Sequence, residues 1–289
     1  MEFKTFIDQA WQDHANAAQA VADRLDAGIA LVVDEAQLIQ LMNLGQHVYG
    51  EHLDQARQGI VFVERLTGLP TFVPQGASGQ ASRRSFASLR LTAAEEAHLE
   101  ALSPSDRIRV GAMAASSLAD RDTARASHLL REALDLAQRS DLPAADPMHR
   151  ALAVTGNNLA CVLEVKSERN AEERALMILA AETARHHWAI AGTWLETERA
   201  EYRLANTWLQ AGDLARAREH AQACLEIIAA NHGAALERLF GWEALGLVER
   251  AAGNVTGHAQ ALARAREAFA ELNEGDKSWC AAAIEKLAA

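Results

Sequence analysis

The stretch YRLANTWLQAGDLARAREHAQACLEI, residues 202–227, constrains the fold more than any other part of the chain. Leu204, Ala205 and Trp208 recur at spacings of one, three and four residues, which puts them on one face of a helix. Gly212 then breaks the pattern with a residue able to take the left-handed conformation that closes a helix, and Asp213 is suited to cap the next one. Leu214, Ala217, Ala221, Cys224 and Ile228 form the inner row of that second helix, small enough in the middle for two axes to approach closely. An antiparallel helical hairpin is the product. One hairpin cannot cover both of its apolar faces, so further hairpins must stack on it.

The pattern returns downstream in FGWEALGLVERAAGN, residues 240–254, where Trp242, Leu245 and Gly246 precede a turn at Gly253 and an alanine-rich helix over 259–270. Gly212 and Gly253 lie 41 residues apart. Upstream, 109–120 pairs with 123–138 through Ala126, Leu130 and Ala133, and 155–167 pairs with 171–188, where Leu159, Ala160 and Leu163 face Ala175 and Leu179. The N-terminal part supplies a long helix over 3–27, then helical segments at 38–48 and 53–66. Trp188 and Trp194 are expected between hairpins. A final capping helix from 276 onward is expected to seal the stack with Trp279 and Ile284.

Residues 67–91 contain two prolines and three glycines, which predicts a loop or linker with SRRSFASLR (82–90) as its solvated edge. The domain reading is thus an N-terminal helical segment over 1–66, a linker over 67–91, and the main helical stack over 92–289. Acidic residues in AAEEAHLE (93–100) and NAEER (170–174) are expected near helix starts, where they favour the positive end of the helix.

Composition supports an all-α chain. Of 289 residues 49% are hydrophobic, 5 are proline, and β-branched residues seldom cluster. A net charge of −11 argues against nucleic acid as a partner, because phosphate binding needs a concentrated basic face. Three widely spaced cysteines, Cys161, Cys224 and Cys280, form no CxxC pair and are expected as small core residues in a reducing compartment. The N-terminus lacks a basic start followed by an apolar run, and no window reaches the 18 apolar residues of a spanning helix. A cytoplasmic protein without membrane contact is the expectation.

These hairpins resemble the tetratricopeptide repeat family. Leu204, Ala205, Trp208, Gly212, Ala217 and Cys224 carry the resemblance in one unit, and Trp242, Leu245, Gly246 and Gly253 in the next, with weaker echoes at Ala126, Ala133, Leu159, Ala160 and residues 53–56. Repeat length is irregular, and Ala221 stands where the family prefers an aromatic. The resemblance implies a right-handed α-α superhelix, a solenoid of antiparallel hairpins. It also implies a non-enzymatic scaffold that binds a protein or peptide on its concave face.

Motifs for chemistry are missing. There is no HExxH, no phosphate-binding glycine loop and no GxSxG. His186 and His187 are adjacent and point about 100° apart on a helix, and His47 and His52 lie five apart across a helix end. No catalytic residue, metal site or cofactor is expected.

The candidate binding face is the outer side of the first helices: Arg199, Tyr202, Arg203 and Asn206, with Asn157 and Asn158 one hairpin earlier. Arg199 and Arg203 sit one turn apart, where like charges repel unless an anion lies between them. Asn158, Arg199 and Arg203 fall where certain tetratricopeptide proteins hold a C-terminal carboxylate, but Gly111 and Ala115 replace the lysine and asparagine of that clamp. The expected partner is a protein or peptide with an acidic group. Internal salt bridges for the two arginines, a self-associating structural subunit, and a sensory module binding a small ligand near Trp194 and Tyr202 are the competing readings.

Overall fold

A computed structural model describes residues 2–289. The described residues fold into α-helices and no strands, and they divide into two compact units, one ending at Met148 and the other His149–Ala289.

The first unit contains α1 (Phe3–Asp13), α2 (Ala18–Ile29), α3 (Glu35–His47), α4 (Ala56–Thr67), α5 (Ala77–Thr92), α6 (Pro104–Leu118) and α7 (Thr123–Arg139). A π-helical turn, Val48–His52, extends α3. The continuous helix expected over 3–27 is broken at residues 14–17. Phe3, Phe6, Ile7 and Ala10 of α1 and Val21, Ala22 and Leu25 of α2 enter one core, so the chain must turn to bring both faces onto α3.

The linker expected over 67–91 is confined to residues 68–76, since Ala77–Thr92 is α5. Its Ser78, Ser82, Ser85 and Ser88 are buried, and Ala81, Ala87 and Leu89 share that burial. Two of these hydroxyls have partners, while Ser88 Oγ is buried without one. Ser82 donates to the Gly79 carbonyl (2.9 Å) and Ser78 to Glu35 (2.8 Å). These small side chains let α5 pack closely on α3, α4 and α6, and Gly79 makes room for the linker, since a Cβ there would lie 2.0 Å from the Pro74 carbonyl oxygen. SRRSFASLR is therefore a packed helix with Arg84 tied to Asp106 (2.9 Å), and not a solvated edge. AAEEAHLE starts no helix of length. Ala94 and His98 adopt positive φ (58° and 48°), and Glu95 pairs with Arg57 (2.8 Å). Next, α6 and α7 form a hairpin whose inner row is Ala126, Leu130 and Ala133.

The second unit is a run of antiparallel helices, each packed on the next: α8 (Pro147–Glu164), which begins at the boundary, α9 (Ala171–Ala191), α10 (Trp194–Ala211), α11 (Leu214–Ala230), α12 (Ala235–Ala251), α13 (Val255–Ala270) and α14 (Glu274–Ala288). Gly212 (φ 84°) and Gly253 (φ 70°) close α10 and follow α12, while Asp213 and Asn254 cap the helices that follow. Asn170 and Glu173 form a reciprocal cap at the start of α9.

The α8–α9 register differs from expectation. Ala175 is exposed, and the buried row on α9 is Leu176, Met177, Ala180, Ala181 and Ala184. Gly156 sets that crossing, because a Cβ there would lie 2.5 Å from the Ala180 carbonyl oxygen. Trp279 does not seal the stack: it is 67% exposed, and Cys280 and Leu287 take the buried positions of α14. Trp194 begins α10 behind the Thr193–Glu196 cap and is a third exposed, so it is not core; Trp188 is half-buried under the Arg150 guanidinium. Cys161, Cys224 and Cys280 are free thiols. No helix among the described residues is long and apolar enough to cross a membrane.

Candidate functional site

The face of α10 that points away from Leu204, Ala205 and Trp208 borders a groove of about 460 Å³. Asn157 of α8, Glu198, Arg199, Tyr202 and Arg203 of α10, Leu236, Glu237 and Phe240 of α12, and Trp279 of α14 line it. Four of the six residues expected from sequence, Asn157, Arg199, Tyr202 and Arg203, therefore share one concavity. Asn158 and Asn206 do not line it. Asn206 turns back to donate to the Tyr202 carbonyl (3.0 Å), and Asn158 accepts from the Asn157 amide (3.4 Å).

The two arginines differ. Arg203 is committed to the protein: its guanidinium pairs with the buried Glu164 carboxylate and reaches Asn157 (3.4 Å), while Thr207 donates to the other Glu164 oxygen. Arg199 keeps one contact, to Glu237 at 3.3 Å, and its side chain is 60% exposed. Most of its donors face solvent and the groove.

One wall is aromatic. Tyr202 meets Phe240 edge to face at 5.7 Å between ring centroids, and Phe240 meets Trp279 at 5.4 Å. The Tyr202 hydroxyl donates to Glu243 (2.8 Å), and burial followed by that carboxylate pushes the phenol well above its ordinary pKa. Burial raises Glu243 as well, against the Tyr202 hydrogen bond and nearby Lys286. Tyr202 thus stays a neutral, fixed wall.

The floor holds Glu198, 2% exposed. One of its oxygens accepts from the Cys224 thiol (3.0 Å), and the other is buried without a hydrogen-bond partner. Burial pushes the Glu198 carboxyl up, and burial followed by Glu198 pushes the Cys224 thiol far above the range of a reactive cysteine. A few paces along α10, Glu201 accepts from His220 (2.7 Å) and pairs with Arg185, which ties α10 to both neighbouring helices.

Glu164, Glu198, Glu237, Phe240 and Trp279 had no local signal. Phe240 and Glu237 lie one hairpin away from their partners on α10, and Trp279 reads as core in a helix that leaves it outside. The arrangement offers a cation with free donors, an apolar wall and a recessed carboxyl group. It suits recognition of a chain segment by contact and hydrogen bonding. In comparison with known proteins, no protein-family model and no curated protein matches this chain.

Proposed function

We propose that this protein is a non-catalytic scaffold of the tetratricopeptide-like type, which binds a peptide segment of a partner protein in the α10–α12–α14 groove. The segment carries an acidic group for Arg199 and an apolar side chain for the Tyr202–Phe240–Trp279 wall. The observation that carries this reading is Trp279: a tryptophan 67% exposed at the end of an ordered aromatic row, beside an arginine with most of its donors unused. Large exposed aromatics beside a hydrogen-bonding cation are the usual energetic centre of a protein-binding surface. In this reading Arg203 and Asn157 serve as the frame that holds the groove open, and Arg199 is the anchor.

Selection from a random displayed-peptide library against the full chain tests the proposal. Selected peptides should combine a carboxylate with a nearby apolar residue. Arg199→Ala and Trp279→Ala should each weaken binding about tenfold, a loss of roughly 1.4 kcal/mol. Neutralising the peptide's carboxylate should weaken binding to the unaltered protein and have little further effect on Arg199→Ala. Peptides that bind both variants as well as the unaltered chain would place the binding surface elsewhere.

A further inference from the structure

Three histidines meet in the first unit, His47 and His52 five residues apart and His14 33 residues before the first of them. His14 follows α1, His47 ends α3, and His52 ends the π turn that extends it. One ring nitrogen of each lies within 4.8 Å of the other two, and the ring centroids are 4.7–5.0 Å apart.

The π turn makes this meeting possible. In an α-helix, residues five apart point about 140° away from each other. In Val48–His52 the hydrogen bonds run from i+5 to i, as in Leu53 N–H to the Val48 carbonyl (3.0 Å), so residues five apart stack on one side. His47 and His52 then face each other with their Nε2 atoms 3.0 Å apart. The break between α1 and α2 delivers His14 to the same place.

Two of the three remaining nitrogens, those of His14 and His47, have acceptor partners. His14 Nδ1 lies 2.6 Å from the Trp11 carbonyl oxygen, and His47 Nδ1 lies 3.0 Å from the Glu51 carboxylate. Each partner is an acceptor, so each Nδ1 carries the hydrogen and each Nε2 is left with its lone pair. A carbonyl or carboxylate behind the imidazole is the arrangement that orients histidines on metals. Arg121 fixes the turn from the other side, donating to the Gly50 (2.7 Å) and Glu51 (2.8 Å) carbonyls, and its charge is matched by Asp54.

We propose that His14, His47 and His52 form a binding site for a divalent transition-metal ion of the zinc class, with Glu51 and the Trp11 carbonyl as positioning groups. Tetrahedral zinc with Zn–N bonds of about 2.0–2.1 Å needs its nitrogens about 3.3 Å apart. The His47–His52 pair stands close to that already. The distance to His14, within 4.8 Å, is the one that must shorten when an ion binds. Three neutral imidazoles without a hard oxygen cage select zinc, nickel or copper over magnesium and calcium. The fourth position is left to water.

The test is a titration of the full chain, first stripped with a chelator, with Zn²⁺ by calorimetry and with Co²⁺ by visible absorption. The site requires a single ion per chain with micromolar or tighter affinity, and the Co²⁺ complex should show the intense visible bands of four-coordinate geometry. Glu51→Gln keeps the shape of the residue and should weaken binding about 10–100-fold. His14→Ala removes a ligand and should weaken it further, while His128→Ala, an exposed histidine on α7, should leave it unchanged. Circular dichroism of each variant separates lost binding from lost fold. A chain that takes up no stoichiometric ion, or one whose uptake is the same in folded His14→Ala, overturns the site. Neither result bears on the peptide groove, which is built entirely from residues of the second unit.

Discussion

Arg199 and Arg203 are equivalent in sequence, one turn apart on the same helix face, and the structure makes them unequal in a measurable way. Arg203 and Glu164 are 21% and 9% exposed as side chains, and Glu164 has only Arg203 and the Thr207 hydroxyl as partners. Arg203→Ala leaves a buried carboxylate with one hydrogen bond and no countercharge. Stranding one member of a buried pair costs about 3–5 kcal/mol, and the Thr207 bond places this case at the lower end, about 3 kcal/mol. For a unit of this size that is a fall in midpoint of about 12 °C, taking roughly 4 °C per kcal/mol. Arg199→Ala breaks a single 3.3 Å contact made by a guanidinium that is 60% exposed; Glu237 itself is only 11% exposed, which puts the cost near the top of the surface-pair range, about 1 kcal/mol. The assay is thermal and urea unfolding followed by far-ultraviolet circular dichroism. Adding Glu164→Gln to Arg203→Ala removes the stranded charge, so the double variant should recover at least half of the loss. Equal, small effects from both arginines, or no recovery in the double variant, would refute the assignment of Arg203 as framework. The difference also matters for function: binding assays should alter Arg199, since a change at Arg203 confounds lost contact with lost fold.

Two further outcomes follow from the second unit. Gly156→Ala places a methyl 2.5 Å from the Ala180 carbonyl oxygen and 3.0 Å from the Ala184 nitrogen, so α8 and α9 must separate, at a cost of about 2–3 kcal/mol. Gly212→Ala meets nothing within 4 Å and should cost only the left-handed backbone strain, about 1 kcal/mol; chemical denaturation of the pair should show this order, and the reverse order would contradict the close crossing. His187, buried against His149 (Nδ1 to Nδ1 2.8 Å), has its pKa lowered to about 4 by burial and then by His186 and His149. Its unfolded value lies higher, so the unfolded chain takes up the proton first and stability falls as pH drops from 6.5 toward 4. The loss attributable to His187 between pH 7.5 and 5 is about 2 kcal/mol, and His187→Asn should flatten the stability–pH curve by that amount; an unchanged slope would show that His187 is not the acid-sensitive group.

The hairpin repeat was legible because its signals are local. The apolar rows on α7, α10 and α11, the positive-φ glycine at 212 and the caps at Asp213 and Asn170 all lie within a turn or two of what they control. The face carrying Arg199, Tyr202 and Arg203 followed from helical periodicity alone. Misreadings arose where a residue's usual role was reversed by its neighbours. Gly and Ser in α5 read as loop, yet the small buried serines sit where the helix packs on its neighbours, and Gly79 leaves room for the linker at Pro74. Trp279 reads as core, yet α14 buries Cys280 and Leu287 instead.

Sequence by itself determined that this chain is helical, where its second-unit turns fall, and which side of α10 is polar, because propensity, periodicity and capping act over a few residues. Only the tertiary structure decided which arginine is free, which aromatics form a wall, and that His14 meets His47 and His52. Those relations join residues 33 to 77 positions apart, and they depend on crossing points set by Gly156 and on one π turn that changes the angular step of a helix. Such distances are fixed by packing, and packing is a property of all the contacting helices together.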